Sequence, residues 1–285
     1  MYEKNFARGG ACSKWVTKCS PADAVRPSVC LDGELVPGAY FAAVEWIAAD
    51  MATEGLICHE SDALHMFVGG NPKDHENLNA EIDFQIENDH LVFSETSFVF
   101  VPKGCAYNII SAKNVKQPLL HYVVLISDSV YESKPALPKA AEGTYANYRV
   151  TKYERPDGIT PEAPEGFLTF LLWIDNAKLA GAPYTECVWF HTVNPTGPAE
   201  HIHDDMEVIA FIGSDPEHPE ELNGDISFYM GGETIHTRKS TLVFVPGKVS
   251  HSPILVHELE KDILHFSGEN TGDYVRDSNG VISHG

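Results

Sequence analysis

Short apolar segments, separated by polar turns, follow one another along almost the whole chain. Four of the clearest are rich in aromatic or β-branched residues, and Gly, Pro, Asn or Asp lies between them and their neighbours. These segments cover residues 41–47, 186–192, 226–230 and 241–245. No segment keeps a helical period, apart from possible short helices near 21–25 and around Ala140. Many short strands at regular spacing predict an all-β chain, folded as a sandwich or a barrel.

The pattern of apolar and polar positions occurs twice along the chain. At an offset of 144 residues the following segments align: 67–72 with 211–216, 78–84 with 222–228, and 99–102 with 243–246. Upstream the offset is 143, and the alignment places the one inserted residue at Pro183. So long a shared register predicts a duplication, with the first copy over 1–140 and the second over 141–285. A Pro-spaced connector at 132–142 joins the two copies.

The second copy carries a candidate metal site. His201 and His203 are two residues apart, so on a β-strand both would point to the same side. Glu207 follows where a next strand could begin or where the same strand could continue after a bend. A turn at 246–247 precedes a further histidine, His251. Three imidazoles and one carboxylate suit a divalent transition metal such as Fe, Mn, Zn or Ni. On a six-coordinate ion these ligands leave open positions, as a reactive site requires.

These residues resemble the paired motifs of the cupin superfamily, and the doubled chain resembles a bicupin. The first family motif, a Gly, H-x-H, Glu and a closing Gly, spans 197–213 here. The second is Pro-x-Gly and then His, but here Pro246 and Gly247 are adjacent, a small departure. The resemblance covers about 30–127 and 170–270. It implies two tandem cupin (jelly-roll) β-barrels, and it implies that the three histidines and the glutamate named above are the metal ligands.

The first copy lacks most of this site. At an offset of 144, the four ligand positions are occupied by Ile57, His59, Ala63 and Tyr107. A lone neutral histidine holds a divalent ion poorly, so we predict a metal-free first barrel and one metal per chain.

Four polar or reactive residues of the first copy allow two interpretations. His59, His65, Cys105 and Tyr107 would face inward if the period-2 alternation holds, and they would then line a small polar pocket. The other interpretation is that they are buried groups satisfied by the backbone. A fifth residue, His121, has a counterpart in the second copy at His265, and its presence in both copies favours a structural role.

Composition and charge narrow the possible partners. The chain has 285 residues, 43% of them hydrophobic, which is ample for a sizeable core. A net charge of −21 repels phosphate backbones and anionic bilayers, so we expect neither nucleic acid nor membrane as a partner. The first residues show no secretory pattern, and the six cysteines form no C-x-x-C pair. These features predict a cytoplasmic protein with reduced thiols, and they leave a homodimer open.

The chemistry of the candidate site allows two classes of function. A divalent ion with three neutral imidazoles and one carboxylate carries about one net positive charge, which favours a small anionic ligand. Cupins with such ligands include dioxygenases, isomerases, decarboxylases and lyases, and the fold does not choose among them. We therefore predict a metal-dependent enzyme for a small polar or carboxylated molecule, acting by oxidation or by isomerisation or lyase chemistry. The alternative is a non-catalytic binding or sensing bicupin. Tyr229, His191 and His236 are candidate acids or bases.

Overall fold

The computed structural model describes residues 1–10, 15–154 and 163–272. In these ranges the chain consists of β-strands, turns and three short 3-10 helices, Tyr2–Asn5, Ala22–Ala24 and Pro72–Asp74. The first predicted helix is therefore present as a 3-10 turn. The helix predicted around Ala140 is wrong, because the amide of Ala140 donates to the side chain of Glu87 (3.1 Å) and the segment forms turns.

The first copy folds into a barrel made of two sheets. The strands of this copy, followed by the first strand of the second copy, are β1 (Phe6–Arg8), β2 (Val25–Leu31), β3 (Phe41–Ile47), β4 (Met51–Ala52), β5 (Leu56–Cys58), β6 (Ala63–Gly69), β7 (Asn77–Ile86), β8 (Asp89–Glu95), β9 (Ser97–Val101), β10 (Tyr107–Lys113), β11 (Leu119–Leu125), β12 (Lys134–Ala136) and β13 (Arg149–Val150). One sheet has the order β13-β9-β6-β11-β3-β2. The other has the order β12-β5-β10-β7-β8, with β4 also paired to β10.

The second copy repeats this arrangement. Its strands are β14 (Leu168–Ile174), β15 (Thr185–Phe190), β16 (Glu207–Gly213), β17 (Glu221–Met230), β18 (Glu233–Lys239), β19 (Thr241–Val245), β20 (His251–Leu259) and β21 (Ile263–Glu269). The larger sheet has the order β1-β19-β16-β21-β15-β14, and the smaller has the order β18-β17-β20. The prediction of an all-β chain with two tandem barrels is confirmed.

The two barrels are built around three apolar clusters. One fills the interior of the first barrel and another fills the interior of the second. The third contains residues from both copies and lies between the two larger sheets. Strands at the centre of those sheets are therefore buried on both faces, and every residue of β6, β11 and β16 is buried. This explains why these strands read as continuous apolar runs, without the alternation of a half-exposed strand.

Equivalent residues of the two copies meet between the barrels. Tyr122 and its counterpart Phe266 are in contact, with ring centroids 4.2 Å apart. A Cβ built at Gly38 would lie 3.7 Å from Phe244, and one built at Gly181 would lie 3.7 Å from Phe100. Such reciprocal contacts are those of a two-fold interface, so the barrels pack as a pseudo-dimer within one chain.

Each copy also lends its first strand to the sheet of the other. β1 pairs with β19 of the second barrel, and Phe6 lies opposite Val243. In the same way β13, which opens the second copy, pairs with β9 of the first barrel, and Arg149 lies opposite Val99. The exchange covers an edge of both larger sheets and ties the barrels together.

The strand pairing places the inserted residue at a different position from the one that the sequence alignment predicts. His121 pairs with Glu45 in the first copy, and its counterpart His265 pairs with Val188 in the second. The prediction that Pro183 is the insertion is therefore wrong, because Glu45 and Val188 are still 143 positions apart. The extra residue lies in the connection between β15 and β16. Counterparts differ by 143 before that connection and by 144 after it.

Two further observations concern the predicted setting of the protein. No helix of the described residues is long and apolar enough to cross a membrane. Cys19, Cys58, Cys105 and Cys187 are free thiols, and Cys12 lies outside the described ranges.

Candidate metal centre

Two of the predicted ligands are held side by side by a backbone bridge. His201 and His251 exchange both backbone hydrogen bonds, of 3.1 and 3.0 Å, as an antiparallel pair. Directly opposite residues of such a pair have their side chains on the same face. The two imidazole centroids lie 4.3 Å apart. This bridge therefore brings together residues that are 50 positions apart in the chain.

The other two predicted ligands lie at the entrance to β16. The segment after His201 leaves the strand and bends, so His203 is in a loop and not on a strand as predicted. The alternation nevertheless holds locally, because Ile202 is 48% exposed whereas His203 is 3% exposed. Glu207 is the first residue of β16, at the place that the spacing predicted. Its Oε2 lies 3.3 Å from Nε2 of His203 and 3.2 Å from Nε2 of His251.

Backbone carbonyls fix the orientation of all three imidazoles. Nδ1 of His201 donates to the carbonyl of Ala199 at 2.9 Å, and Nδ1 of His203 donates to that of Asp205 at 2.8 Å. Nδ1 of His251 donates to the carbonyl of Val249 at 2.9 Å. A carbonyl only accepts, so each Nδ1 carries a hydrogen and Nε2 is left as the nitrogen that can bind an ion. The three rings offer ligand atoms within 4.8 Å of one another.

The glutamate adds negative charge to this cluster. Glu207 is 6% exposed, and although burial raises the pKa of its carboxyl, the adjacent His203 and His251 lower it well below its usual range. In turn, burial opposes the charged form of His203, but Glu207 raises the pKa of that imidazole to about 9. A buried carboxylate requires a positive partner. The donor set of three oriented nitrogens and one carboxylate therefore fits a divalent cation.

A glycine allows the two ligand-bearing segments to pack closely. A Cβ built at Gly247 would lie 2.1 Å from the carbonyl oxygen of Asp204, in the loop that carries His203. The next residue, Lys248, donates its backbone N–H to the carbonyl of His203 at 2.7 Å. The Pro-Gly turn thus sets the distance between His203 and His251. The first copy, which lacks the ligands, carries Lys103 at the position of this glycine.

A second buried carboxylate lies beside the cluster. Glu269 pairs with Glu207 across β21 and β16 and is 4% exposed. Burial, together with the charge of Glu207, raises the pKa of Glu269 to about 8. The spacing and motifs of the sequence do not predict a role for this residue. A comparison of the two copies could have identified Glu269, because the first copy has the apolar Leu125 at the same position.

The three candidate acids or bases do not join the cluster. Tyr229 follows Phe228, whose ring lies 6.2 Å from that of His251, and adjacent strand residues point to opposite faces. His191 follows β15, at the end of the sheet where Phe190 pairs with Ile263, far from the pair formed by Glu207 and Glu269. His236 is exposed and lies 3.3 Å from Asp225. Its partners are surface groups.

The first copy repeats the backbone of the site without its ligands. Tyr107 pairs with Ile57 as His251 pairs with His201. Gly104 donates to the carbonyl of His59, as Lys248 does to that of His203. Within the described ranges, the trio His201, His203 and His251 is the one group of three or more His, Cys, Asp or Glu residues arranged to hold a metal.

The four-residue cluster predicted in the first barrel is present in part. The ring of Tyr107 lies 5.7 Å from His59 and 5.1 Å from His65. Cys105 turns away, and its thiol donates to the hydroxyl of Tyr145 at 3.2 Å. His65 and Tyr107 line a cavity, so the pocket interpretation holds for these two.

The histidine shared by both copies has different surroundings in each. His265 donates from Nδ1 to the carbonyl of Ala210 at 2.9 Å, and burial lowers the pKa of its imidazole to about 4. A structural role, as predicted, suits it. His121 instead contacts two ionisable side chains, Glu45 and His65.

Comparison with solved structures shows the cupin fold. A mutant of Bacillus subtilis oxalate decarboxylase is similar with a TM-score of 0.55 and 11% identity, over 87% of this chain and 73% of that chain. AerE from Microcystis aeruginosa is similar with a TM-score of 0.51 and 12% identity, over 93% of this chain and 98% of that chain. Another Bacillus subtilis oxalate decarboxylase structure, which concerns the Mn(II) centres of that enzyme, gives a TM-score of 0.52 at 11% identity, over 87% and 73%. No family model and no curated protein sequence matches the chain.

Proposed function

We propose that the second barrel binds one divalent transition metal and is the active site of a metal-dependent enzyme. The ligands are His201, His203, Glu207 and His251. The observation that carries this proposal is the orientation of the three imidazoles. Each Nδ1 donates to a backbone carbonyl, and the remaining nitrogens of His203 and His251 lie 3.3 and 3.2 Å from the buried carboxylate of Glu207. A cluster with only a structural role would not require all three imidazoles to be oriented in this way.

The substrate class follows from the charge of the centre. Lewis-acid polarisation of a substrate oxygen is the chemistry that a bound divalent ion supplies. Three imidazoles and one carboxylate leave about one positive charge, so a small polar or carboxylated molecule is the favoured substrate. Oxidation and isomerisation or lyase reactions both suit such a substrate. Among Fe, Mn, Zn and Ni, the Mn(II) centres of the structurally similar oxalate decarboxylase favour Mn.

The second buried carboxylate supports an enzyme over a binding or sensing protein. A catalytic site needs an ionisable group near the metal-held substrate, whereas a binding site works with apolar walls. Glu269 lies beside Glu207 on the neighbouring strand and is as buried as His203, Glu207 and His251. We therefore assign to Glu269 the role of moving a proton to or from the substrate.

The division into copies at residue 140 is also a proposal. Phe6 and Arg149 occupy equivalent places, since each begins the strand that is lent to the other barrel. A copy boundary at 140 puts both exchanged strands at the start of their copies. It also means that neither copy contains all the strands of its own barrel.

Metal analysis tests the proposal directly. We expect full-length protein purified without added metal to contain about one divalent ion per chain. His59→Ala should leave that content unchanged, because the matched site of the first barrel holds a single histidine of the four ligands. Elemental analysis against protein concentration gives the ratio. Two ions per chain would refute the metal-free first barrel, and protein that stays without metal after incubation with Mn²⁺, Fe²⁺, Zn²⁺ and Ni²⁺ would refute the proposal itself.

The Pro-Gly turn offers a second test. Gly247→Ala should weaken metal binding about 10- to 100-fold, the range found when the groups that orient ligands are changed, because the added Cβ displaces the loop of His203. Titration with a chelating indicator measures the affinity. Lys248→Ala is the control, since that side chain is 76% exposed and its backbone N–H remains. Equal affinities in the two variants would contradict the role of the turn.

A further inference from the structure

A chain of three ionisable side chains is buried inside the first barrel. Nδ1 of His121 lies 2.9 Å from Oε1 of Glu45, and Nε2 of His121 lies 3.0 Å from Nδ1 of His65. Glu45 is 0% exposed, His121 is 1% exposed and His65 is 4% exposed. We call Glu45, His121 and His65 the buried relay. Its members come from three adjacent strands, β3, β11 and β6.

Hydrogen bonds decide which nitrogens of the relay carry hydrogen. Glu45 accepts from His121 and from both the backbone N–H and the hydroxyl of Thr17, the pattern of an ionised carboxylate. Nδ1 of His121 therefore carries a hydrogen, and in the neutral form of this imidazole Nε2 accepts from Nδ1 of His65. Burial, with the neighbouring His121 and His59, lowers the pKa of His65 well below its ordinary value, so this ring is neutral. Its Nε2 is left as a lone-pair acceptor.

That acceptor finds no donor in the described part of the chain. Nε2 of His65 is buried, and among the residues that the structure describes none hydrogen-bonds it. The ring is fixed between Phe84, Tyr107 and His121, with centroids at 5.0, 5.1 and 5.3 Å. A buried acceptor without a donor costs about 1 to 3 kcal/mol. An outside group that donates a hydrogen bond would remove that cost.

The second copy shows that the barrel does not need the relay. His265 is the counterpart of His121, but it pairs with Val188 where His121 pairs with Glu45. The counterpart of His65 is Ile209. Two of the three relay positions, those of Glu45 and His65, are therefore apolar in the second copy. Because a buried charge is costly, a carboxylate at this position in the first copy alone points to a role other than folding.

The relay ends at a cavity of about 700 Å³. His65 and His121 line it, and so do the aromatic rings of Trp15, Tyr107 and Tyr131. Cavities of about 300 to 1,000 Å³ hold small organic molecules. Of the charged residues that line it, Lys18 and Lys134 are balanced by Glu54 and Glu132. The lining thus suits a planar, uncharged molecule with a polar end.

We infer that the first barrel is a second, metal-free binding site for a small planar molecule with a phenol-type hydroxyl. The hydroxyl donates its hydrogen bond to Nε2 of His65, and the relay holds that nitrogen as an acceptor. The planar body lies among Trp15, Tyr107 and Tyr131. The two copies are then specialised in complementary ways, because one has kept metal ligands and the other has an acceptor backed by a carboxylate.

Binding of 4-nitrophenol to the full-length protein tests this inference at a mildly acidic pH, where the phenol hydroxyl keeps its hydrogen. We expect one site per chain by isothermal titration, and at least tenfold weaker binding of 4-nitroanisole, whose methyl ether has no hydrogen to donate. This comparison uses the unaltered protein and does not depend on how any variant folds. Equal binding of the two probes, or no binding of 4-nitrophenol, would overturn the inference.

Two variants place the probe in the first barrel. His65→Ile installs the residue that the second copy carries at the same position, and it should weaken 4-nitrophenol binding at least tenfold. His251→Ala alters the candidate metal centre and should leave the binding unchanged. Undiminished binding in His65→Ile, or loss of binding in His251→Ala, would show that the probe binds elsewhere and overturn the assignment to the first barrel. The proposed metal function would stand in either case.

Discussion

Replacing His251 by alanine is expected to empty the candidate metal centre. His251 is 1% exposed, its Nε2 lies 3.2 Å from Glu207, and its backbone bridge positions His201. The variant loses one of four ligands, and it leaves the buried carboxylate with one partner fewer. We expect metal content to fall from about one ion per chain to near zero, with affinity reduced by more than the roughly 10- to 100-fold typical of changes behind the ligands.

A histidine on the same strand provides the control for this experiment. His257 also lies on β20 but is exposed, and its Nε2 lies 2.7 Å from the hydroxyl of Ser227. His257→Ala should retain its metal. Both variants should unfold at similar temperatures in excess chelator, which separates loss of metal from loss of fold. A full complement of metal in His251→Ala would remove the basis of the proposed function.

The sequence predicted much of this centre because ligand chemistry depends on residue type and spacing. His201, His203, Glu207 and His251 could be named in advance, and the structure brings them together. The alternation of side chains along an extended segment predicted that His201 and His203 point to the same side, although only His201 forms a β-bridge. What brings His251 to His201 is a pairing between distant segments, which no local pattern contains.

The residues missed by the sequence analysis are buried carboxylates on otherwise apolar strands. Glu45 is the one charged residue of β3, in which every residue is buried. Glu269 is the last residue of β21 and is also buried. Their meaning depends on the neighbouring strands, which bring His121 beside one and Glu207 beside the other. The misplaced insertion at Pro183 has the same origin, because register is fixed by pairing across the sheet and not by similarity along the chain.

Truncation of Phe266 is expected to destabilise the whole chain, although this residue is not one of the proposed metal ligands. Its ring is 0% exposed and meets Tyr122 between the two barrels. Phe266→Ala should cost about 3 to 5 kcal/mol in the free energy of unfolding, because it leaves a cavity in a core that both barrels share. Urea unfolding followed by tryptophan fluorescence and by circular dichroism measures the change. A shared core also predicts that both barrels unfold in a single transition.

A double-mutant cycle separates the interface from an ordinary core position. Tyr122→Leu and Phe266→Ala should be coupled by about 0.5 to 1.5 kcal/mol, the energy of an aromatic pair beyond its burial. Phe211→Ala is the matched control, since Phe211 is equally buried but packs inside the second barrel. It should cost as much as Phe266→Ala and show little coupling to Tyr122. Independent effects of Tyr122 and Phe266 would mean that the barrels touch there without supporting each other. The other residues of the shared core and the exchanged strands β1 and β13 would then hold the pseudo-dimer together.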